Sequence, residues 1–315
     1  MNIVVTGGTG FIGQALCALL LHGGHRVSIL TRNAEQDFHR PGMSANPVPW
    51  NGRDPGPWEQ VLEGADAVIN LAGASLADAR WTDSRKQLIT DSRILTTRLL
   101  VEALSRYSSK PTTFISASGI GYYGATDDRR LDEGAARGQG FLADLCRAWE
   151  TEALRASDFG ARVVLLRTGM VLERDGGALP KMLLPFRLFA GGPIMPGTQW
   201  VSWIHRRDHI GLIQWALTTA TVSGPINAVA PEPVMMKTFC EILGRVVHRP
   251  SWLPVPAFAL NVLLGELGTL MTTGQRVIPA KALAGGYTFH YPTLKPALHA
   301  ILIGTTRQGT GEEDS

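Results

Sequence analysis

The sequence predicts an α/β fold, a doubly wound parallel sheet with a smaller C-terminal lobe, and three observations lead there. Apolar β-branched runs alternate with helical stretches along the first two thirds of the chain, an order that covers a parallel sheet with crossover helices. A glycine-rich turn joins the first strand to the first helix. At 315 residues, 44% hydrophobic and 18% charged, the chain has the length and composition for one large globular α/β domain with an attached second lobe.

Asn2 to Thr6 (NIVVT) is a short β-branched strand, and Phe11 to Leu21 is apolar enough to be a helix buried against a sheet, stopped by Gly23 and Gly24. Arg26 to Thr31 (RVSILT) reads as the second strand. Residues 33–57, rich in Pro, Gly, Asn and Asp, predict a loop-dominated connection. Ala67 to Leu71 is the next strand, and Ser84 to Tyr107 a long helix with Leu88, Leu95 and Leu99 on one face. Strands at Thr112 to Ser118 and Arg162 to Arg167 flank a helix at Phe141 to Ala156. Beyond Gly169 glycines and prolines interrupt the pattern, which predicts a lobe packed over the strand ends. A last sheet strand is expected at Pro225 to Val229, helices at Met235 to Val247 and Pro256 to Met271, and a disordered polar tail over 304–315. The implied division is 1–230 for the sheet domain, about 172–205 contributing to the substrate lobe, and 231–303 for a small C-terminal domain.

Thr6 to Gly13 (TGGTGFIG) carries the chemistry most directly. Gly7 permits a tight turn, Gly10 lets backbone approach a diphosphate, and Gly13 lets the helix pack closely on the strand. The N–H groups of the helix start then face the phosphates, so a Rossmann-type βαβ unit holding a dinucleotide is expected here. The end of the second strand selects the cofactor, and Thr31-Arg32 offers a cation where an acid would bind the ribose hydroxyls. NADP(H) is therefore expected over NAD(H), a surface arginine being the bland alternative for Arg32.

A net charge of +3, with the basic residues dispersed, argues against nucleic acid as the principal ligand. Cys17, Cys146 and Cys240 are widely spaced and form no CxxC or Cys/His cluster, so neither a disulfide framework nor a metal site is expected. Met1 leads directly into an apolar strand and no apolar run reaches membrane-spanning length, which reads as a cytoplasmic protein with no membrane partner.

TGGTGFIG, the NLAG at Asn70 to Gly73, SASGIGYYG at Ser116 to Gly124, LLRTGMVL at Leu165 to Leu172, MLLPFRL at Met182 to Leu188 and WIHRRD at Trp203 to Asp208 together resemble the extended short-chain dehydrogenase/reductase superfamily, in particular its atypical epimerase-like branch. Arg276 to Pro292 is similar to a small C-terminal domain of unknown function found in that branch. The resemblance implies that Thr9, Phe11 and Ile12 belong to the cofactor turn, and that Leu71, Ala72 and Gly73 line the adenine and ribose side. It further implies that Arg93 reaches a phosphate or ribose, that Ser116 and Ser118 end the central strand beside the nicotinamide, and that Val171 follows the strand closing the site. A homodimer through the helices at 84–107 and 141–156 is the family's habit.

The chain departs from the family at the catalytic dyad. Members carry Tyr-x-x-x-Lys on the helix after the serine-bearing strand; aligned on Glu150, Leu142 and Cys146 stand in those places. Neither can act as the acid or as its cationic partner. Ser118 and Tyr122 are the candidate replacements, Tyr122 and Tyr123 lying in a glycine-flanked loop, with an aromatic shelf as the alternative role. Arg187, Trp200, Trp203, His205 and Arg207 are candidates for binding a small-molecule substrate, His205 also as a proton donor or else a structural histidine. An NADP(H)-dependent oxidoreductase or epimerase acting on a small carbonyl or hydroxyl compound is the leading expectation; a non-catalytic NADP(H)-binding sensor or scaffold is the alternative.

Overall fold

The computed structural model describes residues 1–34, 39–40, 43–109, 111–256, 258 and 265–304. Its centre is a seven-stranded sheet, parallel throughout. In chain order the strands are β1 (Asn2–Thr6), β2 (Arg26–Thr31), β3 (Asn46–Pro49), β4 (Ala67–Asn70), β5 (Thr113–Gly119), β6 (Arg162–Thr168) and β7 (Gly224–Ala228). They lie in the spatial order β7-β6-β5-β4-β1-β2-β3. Strand order therefore reverses between β1 and β4, and the carboxyl ends there open the crevice in which such sheets bind ligands.

The edge strand β3 falls within the stretch whose composition predicts a loop. Two prolines in NPVP hide it: Pro47 pairs with Ile29 and Pro49 with Thr31, and only an edge strand can forgo the missing N–H groups.

Helices α1 (Phe11–His22) and α5 (Arg206–Thr218) pack on one face of the sheet, α2 (Asp83–Ser105) and α3 (Phe141–Leu154) on the other. On α2 the buried stripe is not the expected one. Leu88 and Leu95 are 43% and 45% exposed, while Ile89, Thr96, Leu100 and Ala103 face inward with Leu99. The leucine spacing of seven misled because Thr96 and Thr97 belong to the buried side, where Thr97 serves as a hydrogen-bond acceptor.

The second lobe gathers α4 (Leu179–Arg187), α6 (Met236–Val246) and α7 (Leu294–Leu302) around Leu172, Val201 and Trp203. Two of its helices, α4 and α7, and the sheet-packing α5 lie where the glycine- and proline-rich sequence shows no long periodic run. Trp203–His205 pairs with Met170–Leu172 in a small separate ladder. Of the helix predicted over Pro256 to Met271, Glu266–Met271 is helical, while 257 and 259–264 lie outside the described residues, as do 305–315 of the predicted tail. Among the described residues no helix is long and apolar enough to cross a membrane.

Candidate functional site

The glycine turn is where close approach decides everything. Gly7 has φ +67°, and a Cβ there would lie 2.7 Å from the Leu71 carbonyl oxygen at the end of β4. A Cβ on Gly13 would meet the Gly7 carbonyl oxygen at 2.1 Å, so α1 can press onto the turn only with glycine at that position. Gly10 N donates to Gly7 O at 3.0 Å, and Gly10 caps α1 with no side-chain hydrogen bond and no acid in the first turn. The first N–H groups of α1 are thereby left for an anion, beside the β1/β4 crevice. These features fit a dinucleotide diphosphate.

Around this cradle Thr6 Oγ1 donates to Asn70 Oδ1 at 2.7 Å and accepts from Ala72 N at 3.2 Å, tying β1 to the NLAG segment. Phe11 and Ile12 pack with Val171 in one apolar cluster, and the Thr9 carbonyl accepts from Gln14 Nε2. At the end of β2 the Thr31 hydroxyl is engaged with the Asn33 backbone, whereas Arg32 is exposed and has no acidic partner among the described residues. Ser116 is fully buried three residues before the end of β5, within 3.4 Å of Asn70 Nδ2.

Ser118, in the last turn of the pleat before the crevice, donates to Glu150 Oε1 at 2.7 Å. That carboxylate also receives Arg167 Nε and Nη2, both at 2.8 Å, in a two-pronged ion pair. The Arg167 guanidinium lies 3.5 Å beneath the centroid of the Tyr122 ring and donates to Tyr123 Oη at 3.1 Å. Burial alone would lower the Arg167 pKa; the hydrogen bonds and charge of Glu150 more than reverse it, so the cation is held above its ordinary value.

The two tyrosines are thus separated by role. Tyr123 is buried and donates to Asn227 Oδ1 at 2.7 Å. Burial, only partly offset by Arg167, raises its pKa. Half-buried Tyr122 stacks on Arg167, and its hydroxyl has no hydrogen-bond partner among the described residues. Ser118 and Tyr122 are the candidates the sequence offers here, whereas Glu150 and Arg167 are not legible in it as a pair. Nothing in the spacing of 150 and 167 signals it.

The dyad positions are apolar walls. A Cβ on Gly121 would lie 2.9 Å from Leu142 Cβ, so Leu142 presses against the Ile120–Tyr123 turn. Cys146 is buried beside Gly119, and burial, with the Glu150 charge, pushes its thiol up to about 11.

The substrate-lobe candidates do not converge. Trp203 is a core residue donating to Glu232 O, Trp200 donates to Asp128 Oδ1, and Arg187 and Arg207 are exposed. His205 caps α5, its Nδ1 accepting from Arg207 N at 2.9 Å, and stacks on Tyr291 at 4.1 Å. No hydrogen bond or ring contact among the described residues joins it to Ser118 or Tyr122. His209, one turn on, is fully buried with Nε2 3.0 Å from Thr168 Oγ1 and Nδ1 unpartnered.

Burial lowers both imidazoles to about 4. Each is neutral in the folded protein at neutral pH, while the unfolded chain takes up protons below about 6.5. Stability should therefore be full above pH 6.5 and fall as pH drops toward 4. His205→Asn, which keeps the capping acceptor, is expected to remove up to roughly 3 kcal/mol of that decline in urea unfolding across the window. An unaltered slope would rule His205 out as a source.

Residues 3–228 match the model of the NAD dependent epimerase/dehydratase family. The chain belongs to that family. Residues 255–301 match a second model, the domain of unknown function DUF1731. Among relatives within the epimerase/dehydratase family, the chain is 42% identical over 307 residues to the chloroplastic SDR39U1 homolog of Arabidopsis thaliana, covering 96% of this chain and 87% of that one. It is 42% identical over 303 residues to the epimerase family protein YfhF of Bacillus subtilis, covering 96% and 98%. Among solved structures, human epimerase family protein SDR39U1 with NADPH superposes with a TM-score of 0.84 at 34% identity, covering 97% of this chain and 100% of that one.

Proposed function

We propose that this chain is an NADP(H)-dependent oxidoreductase, or an epimerase using the cofactor transiently, acting on a small carbonyl or hydroxyl compound. The observation that carries the reading is the uncapped, acid-free start of α1 above Gly7, Gly10 and Gly13, beside the crevice at the carboxyl ends of β1 and β4. The relative crystallised with NADPH supports the choice of cofactor. When bound, the nicotinamide supplies hydride transfer. The glycine turn and the start of α1 would hold the diphosphate, and Arg32 would donate to the 2′-phosphate. Tyr122 Oη gives its proton to the substrate oxygen as the carbonyl is reduced, and takes one back in the reverse direction. Ser118, its own proton committed to Glu150, offers the substrate only lone pairs. Leu142 and Cys146 exclude water from that side.

Purified protein should enhance or quench NADPH fluorescence and consume NADPH with at least one member of a broad aldehyde and ketone panel. Tyr122→Phe should leave binding intact and lower turnover by about 100-fold. Arg32→Ala should weaken NADPH by about tenfold or more and leave NADH unchanged, since one charge-assisted phosphate contact is lost. Leucine at 142 and a buried cysteine at 146, its thiol held protonated at neutral pH, in place of the acid and its cation favour a second reading, a sensor or scaffold that binds NADP(H) without turnover. Tight binding without consumption across the panel would support it, and absence of binding would sink both.

A further inference from the structure

Residues 274–281, within the stretch that matches the domain of unknown function, run beside the chain that leaves the Ile120–Tyr123 turn. Gly124 closes that turn, and its carbonyl accepts from Nε2 of the buried Gln275 at 2.6 Å. Thr126 N donates to Gly274 O at 3.4 Å. Further on, Arg130–Leu131 pairs in parallel with Arg276–Val277, and Ile278 N donates to Leu131 O at 2.9 Å. The buried Glu133 then accepts from Lys281 N through Oε2 at 3.1 Å and from Asn227 N of β7 through Oε1 at 3.0 Å. From Gly124 to Glu133, the chain beyond Tyr122 is thus fastened to the C-terminal domain.

That strap is itself held in place. Ser202 Oγ donates to Gln275 O at 2.7 Å and accepts from Val277 N at 3.0 Å. A Cβ on Gly274 would stand 2.1 Å from the Trp200 carbonyl oxygen, so the strap lies directly on the Trp200–Val201 backbone. Asn227 Nδ2 donates to Ile278 O at 2.9 Å, while its Oδ1 receives the Tyr123 hydroxyl. Val277 and Leu131 share a buried cluster with Tyr123 and Val229, against which Ile120 and Tyr122 pack.

Tyr122 depends on such support because its hydroxyl has no hydrogen-bond partner among the described residues. The phenol is therefore placed by the backbone turn and by Arg167 beneath its ring. Proton transfer requires the donor within hydrogen-bond reach of the substrate oxygen, and a displacement of about 1 Å costs on the order of 100-fold in rate. Loss of the Gln275 amide would leave the buried Gly124 carbonyl unpaired, and the turn would move to satisfy it. We propose that the C-terminal domain positions the proton donor, with Gln275 the positioning residue that acts on Tyr122 through the Gly124 carbonyl. The proposal rests on the reading of Tyr122 as that donor, and it gives the domain of unknown function a part in turnover.

Gln275→Met keeps the length of the side chain and removes its donor. Nitration of Tyr122 by tetranitromethane in the full chain, followed by peptide mass spectrometry with Tyr107 as internal reference, reads the placement of the ring without a substrate. The Tyr122/Tyr107 ratio should rise about threefold or more in Gln275→Met, as the ring leaves its stack on Arg167. It should stay within about 1.5-fold in Ile301→Val, a packing change in α7 of the same domain. With a carbonyl compound that the parent reduces, Gln275→Met should lower kcat about tenfold and change KM and NADPH affinity by less than about threefold. Added to Tyr122→Phe it should lower kcat by less than about twofold more, because the donor it positions is already gone. Gln275→Asn, whose amide falls one methylene short, should move both readouts the same way and serves if the methionine protein does not fold. The proposal is overturned by an unchanged nitration ratio, or by a ratio that rises equally in Ile301→Val, which would make the strap a general stabiliser. It is also overturned if the kcat loss multiplies with that of Tyr122→Phe, which would place the action of Gln275 elsewhere. Should the parent consume no NADPH, the reading of Tyr122 as donor fails separately, and the nitration ratio still decides whether Gln275 positions its ring.

Discussion

Glu150→Ala should destabilise the protein by about 3–5 kcal/mol, because it strands a buried guanidinium. Glu150 is 6% exposed and Arg167 4%, and both prongs of the pair are made at 2.8 Å. Removing the carboxylate also takes the acceptor from Ser118 Oγ, leaving a second buried group to find a partner. Arg167 would retain only Tyr123 Oη and the Glu133 carbonyl at 3.4 Å, neither of which carries negative charge. The outcome is separable from simple loss of packing. Replacing the pair together, as Glu150→Leu with Arg167→Met, removes both charges and should cost several kcal/mol less than the two single changes added. Urea unfolding of the four proteins measures that coupling, and a cost below about 1 kcal/mol for Glu150→Ala would contradict a desolvated pair. Because Arg167 also supports the Tyr122 ring at 3.5 Å, the alanine protein should bind NADPH yet lose turnover along with Tyr122 placement.

What was legible in the chain was local. β1, α1 and β2 follow from five- to twelve-residue runs whose periodicity and glycine punctuation are properties of neighbouring residues, and the parallel order follows from their alternation. The cradle was legible for the same reason: the constraint on Gly13 is the Gly7 carbonyl, six residues away. β3 was not, since a proline-bearing strand is allowed only by its place at the sheet edge, which no local window contains. Nor was the ion pair. Arg167 reads as the end of a β-branched run and Glu150 as an ordinary helical acid; the fold turns both into buried partners by setting α3 against β5 and β6. His205 shows the converse case, a residue whose titration range suggests chemistry but whose nitrogen terminates a helix.

Gly13→Ala should abolish NADPH binding, by more than about 100-fold in affinity, since the diphosphate cradle depends on how closely α1 approaches the turn. The added methyl group would stand 2.1 Å from Gly7 O and 2.7 Å from Gly8 Cα, both backbone atoms that cannot rotate aside. α1 must therefore move, and the overpacking should also cost about 1–3 kcal/mol of stability. Gly10→Ala is the informative comparison. Gly10 has φ −80° and ψ 177°, open to any residue, and its Cβ would meet only Gly7 O at 3.2 Å. That protein should keep nearly its full stability, so any affinity it loses reports a methyl group standing in the ligand's space. Fluorescence titration with NADPH, run beside thermal unfolding, separates the two. If Gly13→Ala lost stability but bound NADPH as tightly as the parent, the approach of α1 to the turn would not be what holds the diphosphate. The ligand would then have to be held by Arg32 and the NLAG segment instead.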